Sequence, residues 1–203
     1  MIPEFVTHPA LLVLVALGAY LLGAVPFGIV TARVLGLGDL RRIGSGNIGA
    51  TNVLRTGSRG GALATLVLDA GKGAAAALMA RAALGEDAAQ IAALAAFAGH
   101  VWPVYLRFHG GKGVATFLGT LIALAWPVGL AACATWLVVA ALTRYSSLSA
   151  LVAAVVAIGW APLLGHAALT LLMALLAAMI LWTHRANIAR LRAGTETKIG
   201  RKG

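Results

Sequence analysis

From Ala10 to Thr31 the chain runs 22 residues without a charged side chain. A bilayer core about 30 Å thick takes a helix of that length and character. Six further mostly apolar runs follow, near 60–81, 88–107, 113–126, 127–143, 147–163 and 165–184. The fourth and fifth of the seven are short, and Trp126-Pro127 marks the break between them. Seven spans of about 20 residues consume most of the chain and leave loops and a tail. Composition agrees: 61% of the 203 residues are hydrophobic and 11% charged, with mean hydropathy +0.92. Soluble domains carry about 45–50% apolar and about 25% charged residues. A soluble enzyme, a disordered tail, a disulfide scaffold and a DNA-binding module are thereby excluded. The expected fold is all-α: one polytopic integral membrane domain over 1–203, with seven transmembrane helices.

The net charge of +10 is read as topology, since basic residues collect in cytoplasmic loops. The loop 32–59 holds Arg33, Arg41, Arg42, Arg55 and Arg59. The loop 108–112 and its flank hold Arg107 and Lys112, the turn 144–146 holds Arg144, and the tail 185–203 holds six more. Thus 14 of the 16 basic residues fall on one side; Arg81 falls on the other and Lys72 inside a span. The expected orientation has the N-terminus outside and the C-terminus in the cytoplasm. The first eight residues carry no Lys or Arg. The basic region of a cleavable signal peptide is missing, so the first run is expected to remain as an anchor. The single Cys133 reads as a buried small hydrophobe. Ala-rich stretches at 74–77 and 152–157 suit close helix packing.

Four polar, glycine-rich segments lie on the basic side. In Gly44–Arg55, Gly44, Gly46 and Gly49 turn the backbone and present N–H groups. Ser45, Asn47, Thr51 and Asn52 add neutral partners, and Arg55 adds a fork suited to phosphate. Arg41 and Arg42 stand close by. In Gly99–Thr116, Gly110, Gly111 and Gly113 flank Lys112 just before a helix, a ready anion site. It is not a nucleotide-binding P-loop, because Gly113 stands where Ser or Thr is required. His100 and His109 in this region read as packing residues, as do His8 and His166 on the outer side. In Thr143–Ser149, hydroxyls can cap the following helix, and Arg144 and Ser147 are the functional candidates. In His184–Gly200, His184 and Asn187 share a helix face, and Glu196, the tail's only acid, can pair with a neighbouring Arg. Asp69 and Lys72, three apart within a span, are either a buried structural pair or part of the site. No histidine cluster has metal-ligand spacing.

Together these segments, SGNIGATNVLR, GHVWPVYLRFHGGKGVAT, TRYSSLS and HRANIARLRAGTETKIG, resemble the bacterial acyl-phosphate:glycerol-3-phosphate acyltransferases, the PlsY family. They occur in order from residue 44 to residue 200. The one visible departure is Ala186, where a charged residue often stands. The resemblance implies a seven-helix fold in the bacterial cytoplasmic (inner) membrane, with the site on its cytoplasmic face. It implies transfer of an acyl group from acyl phosphate to the 1-hydroxyl of glycerol 3-phosphate. The products are lysophosphatidic acid and phosphate, in the first step of phospholipid synthesis. No cofactor, metal, acyl-CoA or acyl-carrier protein is expected. The expected partners are the two substrates and membrane lipid, with a soluble acyl-phosphate-forming enzyme as a candidate, no nucleic acid, and a monomeric chain.

Ser45, Arg55 and Lys112 are assigned to substrate phosphates, and His184 with Asn187 to orienting the glycerol backbone. Gly46, Asn47, Gly49, Thr51, Asn52, Gly111, Gly113, Arg144 and Ser147 are the supporting binding residues. None of the five histidines has Asp five positions later, which excludes the acyltransferases built on that dyad. The hydroxyl proton then passes to the acyl phosphate itself, or His184 assists. The competing class, a small anion or phosphate transporter or channel, requires polar groups through the membrane depth. Here only Asp69 and Lys72 lie there.

Overall fold

A computed structural model describes residues 2–200. Among them are ten α-helices and no strand. The first apolar run forms α1 (Pro9–Gly23) and α2 (Phe27–Val34), broken over Ala24-Val25-Pro26. Pro26 has no N–H to continue the ladder. The loop after α2 carries a short turn at Leu40–Arg42 and α3 (Ala50–Arg55). Then come α4 (Arg59–Leu84), α5 (Glu86–Val101), α6 (Val114–Leu124), α7 (Trp126–Thr143), α8 (Ser146–Leu163), α9 (Thr170–Thr183) and α10 (Arg185–Arg192).

Five helical stretches are long and apolar enough to cross a bilayer: Pro9–Val34, Arg59–Leu84, Glu86–Leu106, Trp126–Thr143 and Ser146–Leu163. Ala167–Thr183 with Arg185–Arg192, bent by 63°, makes a sixth candidate. The run expected at 113–126 is narrower than read, an 11-residue helix at Val114–Leu124. That is about 16 Å long, half of a bilayer core. The break between α6 and α7 falls at Ala125, whose extended backbone ends one helix before Trp126-Pro127 starts the next.

α5 packs between α1 and α4, and α6 lies against α4 and α7; α8 bridges α7 and α9. Small residues set these approaches. A Cβ on Gly99 of α5 would meet the Tyr20 carbonyl oxygen of α1 at 2.1 Å, and one on Gly23 would meet the Ala96 carbonyl oxygen at 2.0 Å. The Ala-rich stretches behave as expected: Ala76, Ala77, Ala153, Ala154 and Ala157 are buried. Phe97, Phe117, Leu121, Met173, Leu176 and Ile180 fill the core between α5, α6 and α9. Leu14, Leu17, Leu63, Val67, Leu137 and Leu142 stay exposed on the outside, as a lipid-facing surface requires.

At one end Arg81 closes the bundle. Its guanidinium pairs with Glu86 at 2.9 Å and donates to the Ala123 and Leu124 carbonyls that end α6. The Asp87 carboxylate accepts from the backbone N–H groups of Val6 and Thr7 and tethers the N-terminal segment there. Every polar segment singled out above lies toward the other end.

The α1–α5 contact makes a direct prediction. Gly99→Leu drives a side chain into the Tyr20 carbonyl and destabilises the fold by about 2 kcal/mol or more. It should lower the thermal unfolding temperature in detergent, while Gly18→Ala, with nothing within 4 Å, leaves it unchanged.

Candidate active site

Two glycines with positive φ, Gly44 and Gly46, fold the first segment back on itself. Asn52 staples it. Its Nδ2 donates to the carbonyls of Leu40 (2.8 Å) and Asn47 (2.7 Å), and its Oδ1 accepts from the Ser45 N–H at 3.2 Å. Fully buried, Asn52 builds the loop and has little left to offer a ligand. Arg55 Nη1 reaches the same Oδ1 at 3.4 Å, so the fork is held at the loop's inner side. Thr51 Oγ1 and Ser146 Oγ, 3.2 Å apart, join α3 to the start of α8.

Lys112 comes from the second segment. Its Nζ donates to Asn187 Oδ1 at 2.5 Å, and its carbonyl accepts from Thr183 Oγ1 at 3.2 Å. Asn187 Nδ2 donates to Glu196 Oε1 at 2.7 Å, which also accepts from Ser147 Oγ at 2.9 Å. Arg190 Nε closes on Glu196 Oε2 at 2.7 Å. Glu196 therefore joins α8, α10 and the tail, and fixes the amide that orients Lys112. Burial opposes a charge on Glu196, but donors from Asn187, Arg190 and Ser147 outweigh it and hold its pKa low. Burial, with Arg190 and Arg55 nearby, pushes the Lys112 pKa down to about 8. At neutral pH the lysine is still mainly cationic, and an anion beside it would raise its pKa again. His184 is buried at the joint of α9 and α10. Its Nδ1 donates to the Ile180 carbonyl at 2.9 Å, which leaves Nε2 as the acceptor of the neutral ring.

These side chains surround one cavity of about 450 Å³. Ser45, Asn47, Gly49, Thr51, Asn52, Arg55, Lys112, Gly113, Ser147, His184 and Asn187 all line it. The opposite wall is apolar: Leu63 and Leu66 of α4, Leu118 of α6, Trp136 and Leu137 of α7. Leu63 and Leu137 are also exposed to the outside, so the apolar end meets the lipid-facing surface. A second recess of about 290 Å³ adjoins, sharing Ser45, Asn47 and Lys112 and adding Gly46, Gly111, Trp182 and Arg185.

Some candidates stand elsewhere. Arg144 lines neither cavity; its guanidinium donates to the Ile199 carbonyl at 3.1 Å and its own carbonyl accepts from the Ile199 N–H, pinning the tail. Arg41 spans to the His109 carbonyl and Arg42 pairs with Asp39, both exposed. His109 is exposed, and His8 caps α1. Of the three serines, Ser147 reaches Glu196, whereas Ser149 donates back to the Tyr145 carbonyl within its own helix. Cys133 is half-buried in the cavity wall rather than in the core. Arg201 and Lys202 lie outside the described residues. His100, read as packing, and Asp69, read as either a buried structural pair or part of the site, both line the main cavity. The signal for Asp69 was its rarity, an acid paired with Lys72 inside a span.

The glycerol-3-phosphate acyltransferase family model matches residues 13–194. A glycerol-3-phosphate acyltransferase of Cereibacter sphaeroides is 64% identical, over 94% of this chain and 91% of that protein. One of Jannaschia sp. is 62% identical over 99% of both chains. The crystal structure of PlsY, an integral membrane glycerol 3-phosphate acyltransferase, in its glycerol 3-phosphate form superposes with TM-score 0.88. It is 37% identical, over 93% of this chain and 96% of that one. The lysophosphatidic acid form gives TM-score 0.85 at 34% identity, over 93% of this chain and 95% of that one. With its multi-pass helical bundle and its cavity lined by basic and polar side chains, this chain belongs to the glycerol-3-phosphate acyltransferase family of integral membrane enzymes.

Proposed function

We propose that the chain transfers an acyl group from acyl phosphate to the 1-hydroxyl of glycerol 3-phosphate, releasing lysophosphatidic acid and inorganic phosphate. The observation that carries this reading is the two-sided cavity. One end gathers Ser45, Arg55, Lys112, His184 and Asn187, and the other is a leucine- and tryptophan-lined wall reaching the lipid-facing surface. An acyl phosphate matches both ends at once.

In this reading the hydroxyl oxygen attacks the acyl carbonyl carbon and the bond to the phosphate oxygen breaks. The hydroxyl proton leaves with the phosphate. An acyl phosphate is already activated, so the protein's work is orientation and charge stabilisation. Arg55 and Lys112 hold phosphate oxygens, Ser45 and the adjoining glycine turn add neutral donors, and Asn187 with His184 orients the glycerol. The Nε2 of His184 is the available proton acceptor if the donor's own oxygen does not serve.

The whole chain is one membrane acyltransferase domain with seven spans, the short α6 completing the set as a helix supported on α4 and α7. The N-terminus is outside and the polar end faces the cytoplasm of a bacterial inner membrane, where glycerol 3-phosphate is dissolved. The basic excess on that end supports this orientation. A monomer suffices, since each of these roles falls within one chain; a soluble acyl-phosphate-forming enzyme would supply the donor from the same side.

Purified protein in detergent or lipid, given palmitoyl phosphate, is expected to release phosphate only when glycerol 3-phosphate is present, with lysophosphatidic acid formed. Palmitoyl-CoA in place of palmitoyl phosphate should give nothing. No release from folded protein sinks the reading and turns the test to anion flux in liposomes. Arg55→Ala and Lys112→Ala should each lower kcat/KM by about 10²–10³-fold, the loss expected for one charge-stabilising donor.

The pH profile gives an independent check. The Lys112 pKa lies near 8 in the free protein, below the ordinary lysine value. The cationic form that binds phosphate is therefore lost as pH rises through about 8, and kcat/KM should fall above that pH. Lys112→Arg, which stays charged, should lose this decline even if its overall rate is lower. A wild-type profile flat from pH 7 to 10 would contradict the role.

A further inference from the structure

Lys112 is carried by a crossover, residues 102–113, that contains no α-helix and turns through positive φ at Arg107, Phe108 and Gly113. Such a segment needs external support to hold a charged side chain in register. Just before it, the His100 carbonyl accepts from the Gly111 N–H and the Val101 carbonyl from the Gly110 N–H, both at 3.1 Å. The His100 ring lies directly under Gly111: a Cβ there would fall 2.2 Å from His100 Nε2. His100 is buried, as is Asp69, whose Oδ1 lies 3.6 Å from His100 Nδ1. Just after the crossover, Thr116 Oγ1 donates to the Asp69 carbonyl at 2.9 Å. Asp69 is thus attached to the residues on both sides of the segment that bears Lys112.

Asp69 itself is immobilised from below. Lys72 Nζ lies 2.9 Å from its Oδ1 and donates to the Val25 carbonyl at 2.8 Å. That carbonyl sits at the break ahead of Pro26, where the helix ladder is interrupted. Charges this deep in an apolar bundle persist only with specific partners, so the Lys72–Asp69 pair has one geometry to adopt.

We propose that Asp69 and His100 are positioning residues that set the place of Gly110–Gly113, and through it the place of the Lys112 ammonium. Neither is assigned to the reacting atoms. The assignment rests on the acyl-transfer reading for its kinetic readout and on the loop geometry alone for its structural one.

The test is a suppression experiment. Gly111→Ala inserts a methyl against the His100 ring and should lower kcat/KM for glycerol 3-phosphate about tenfold to a hundredfold, the scale of a roughly 1 Å misplacement. The loss should fall mainly on KM, because Lys112 binds phosphate. His100→Ala alone should lower kcat/KM about tenfold. The double variant should be more active than Gly111→Ala alone, because the ring that forced the loop away is gone. Losses that multiply in the double variant overturn the proposal, as does a His100→Ala protein with unchanged KM. Hydrogen exchange at the Gly110 and Gly111 amides keeps the two readings separable. If the wild-type chain transfers no acyl group, the proposed reaction fails, while faster exchange at those amides in His100→Ala and Asp69→Asn still supports the clamp. Unchanged exchange in folded variants, judged by size exclusion, overturns it.

Discussion

An ammonium in the interior of an apolar helix bundle is stable only where fixed partners replace its water. Lys72 has three: the Asp69 carboxylate, the Val25 carbonyl and the face of Phe27, 5.7 Å from Nζ to the ring centre. Each partner constrains a different element. Val25 holds the joint of α1 and α2, Asp69 belongs to α4, and through Asp69 the end of α5 and the start of α6 are held as well. A single buried charge therefore ties together the helices on which the polar end of the cavity is built.

Above that clamp the polar groups form a second, wetter network. Lys112, Asn187, Glu196, Ser147 and Arg190 follow one another by hydrogen bonds of 2.5–2.9 Å. Only one of them is an acid, and it faces several cations. The excess positive charge suits an anion, and although burial lowers the Lys112 pKa to about 8 the side chain stays mainly cationic at neutral pH. The short α6 contributes to this. Because Thr116, in its first turn, reaches Asp69, ten residues into α4, α6 begins about 15 Å from the start of α4. Lys112 is consequently recessed beside an apolar wall instead of waving in solvent. In the proposed reaction, the carbonyl carbon of the acyl phosphate lies at that boundary.

Much of this was legible in the chain. The seven apolar runs, the break at Trp126-Pro127 and the gathering of Ser45, Arg55, Lys112, His184 and Asn187 all have counterparts in the structure. What the sequence left open follows a pattern. Asn52 and Arg144 have the chemistry of ligand-binding groups but are spent on backbone carbonyls of their own protein. Glu196 does pair with a neighbouring arginine, Arg190, as its sequence suggests, but it also accepts from Asn187 and Ser147, which its sequence does not show. His100 looked like packing and lies in the cavity wall against the lysine-bearing loop.

The sequence by itself determined the membrane, the helical class and the polar end. The cost of exposing backbone or charge to lipid leaves a chain of this hydropathy no other arrangement, and clustered Gly, Asn and basic residues mark where water and anions are met. Only the tertiary structure decided which of those polar groups are free. Lys112 meets Asn187 across 75 residues and Asp69 lies near His100 across 31. Such pairings depend on how closely α1, α4, α5 and α6 approach, a distance set by small residues at the crossings and invisible in any one segment.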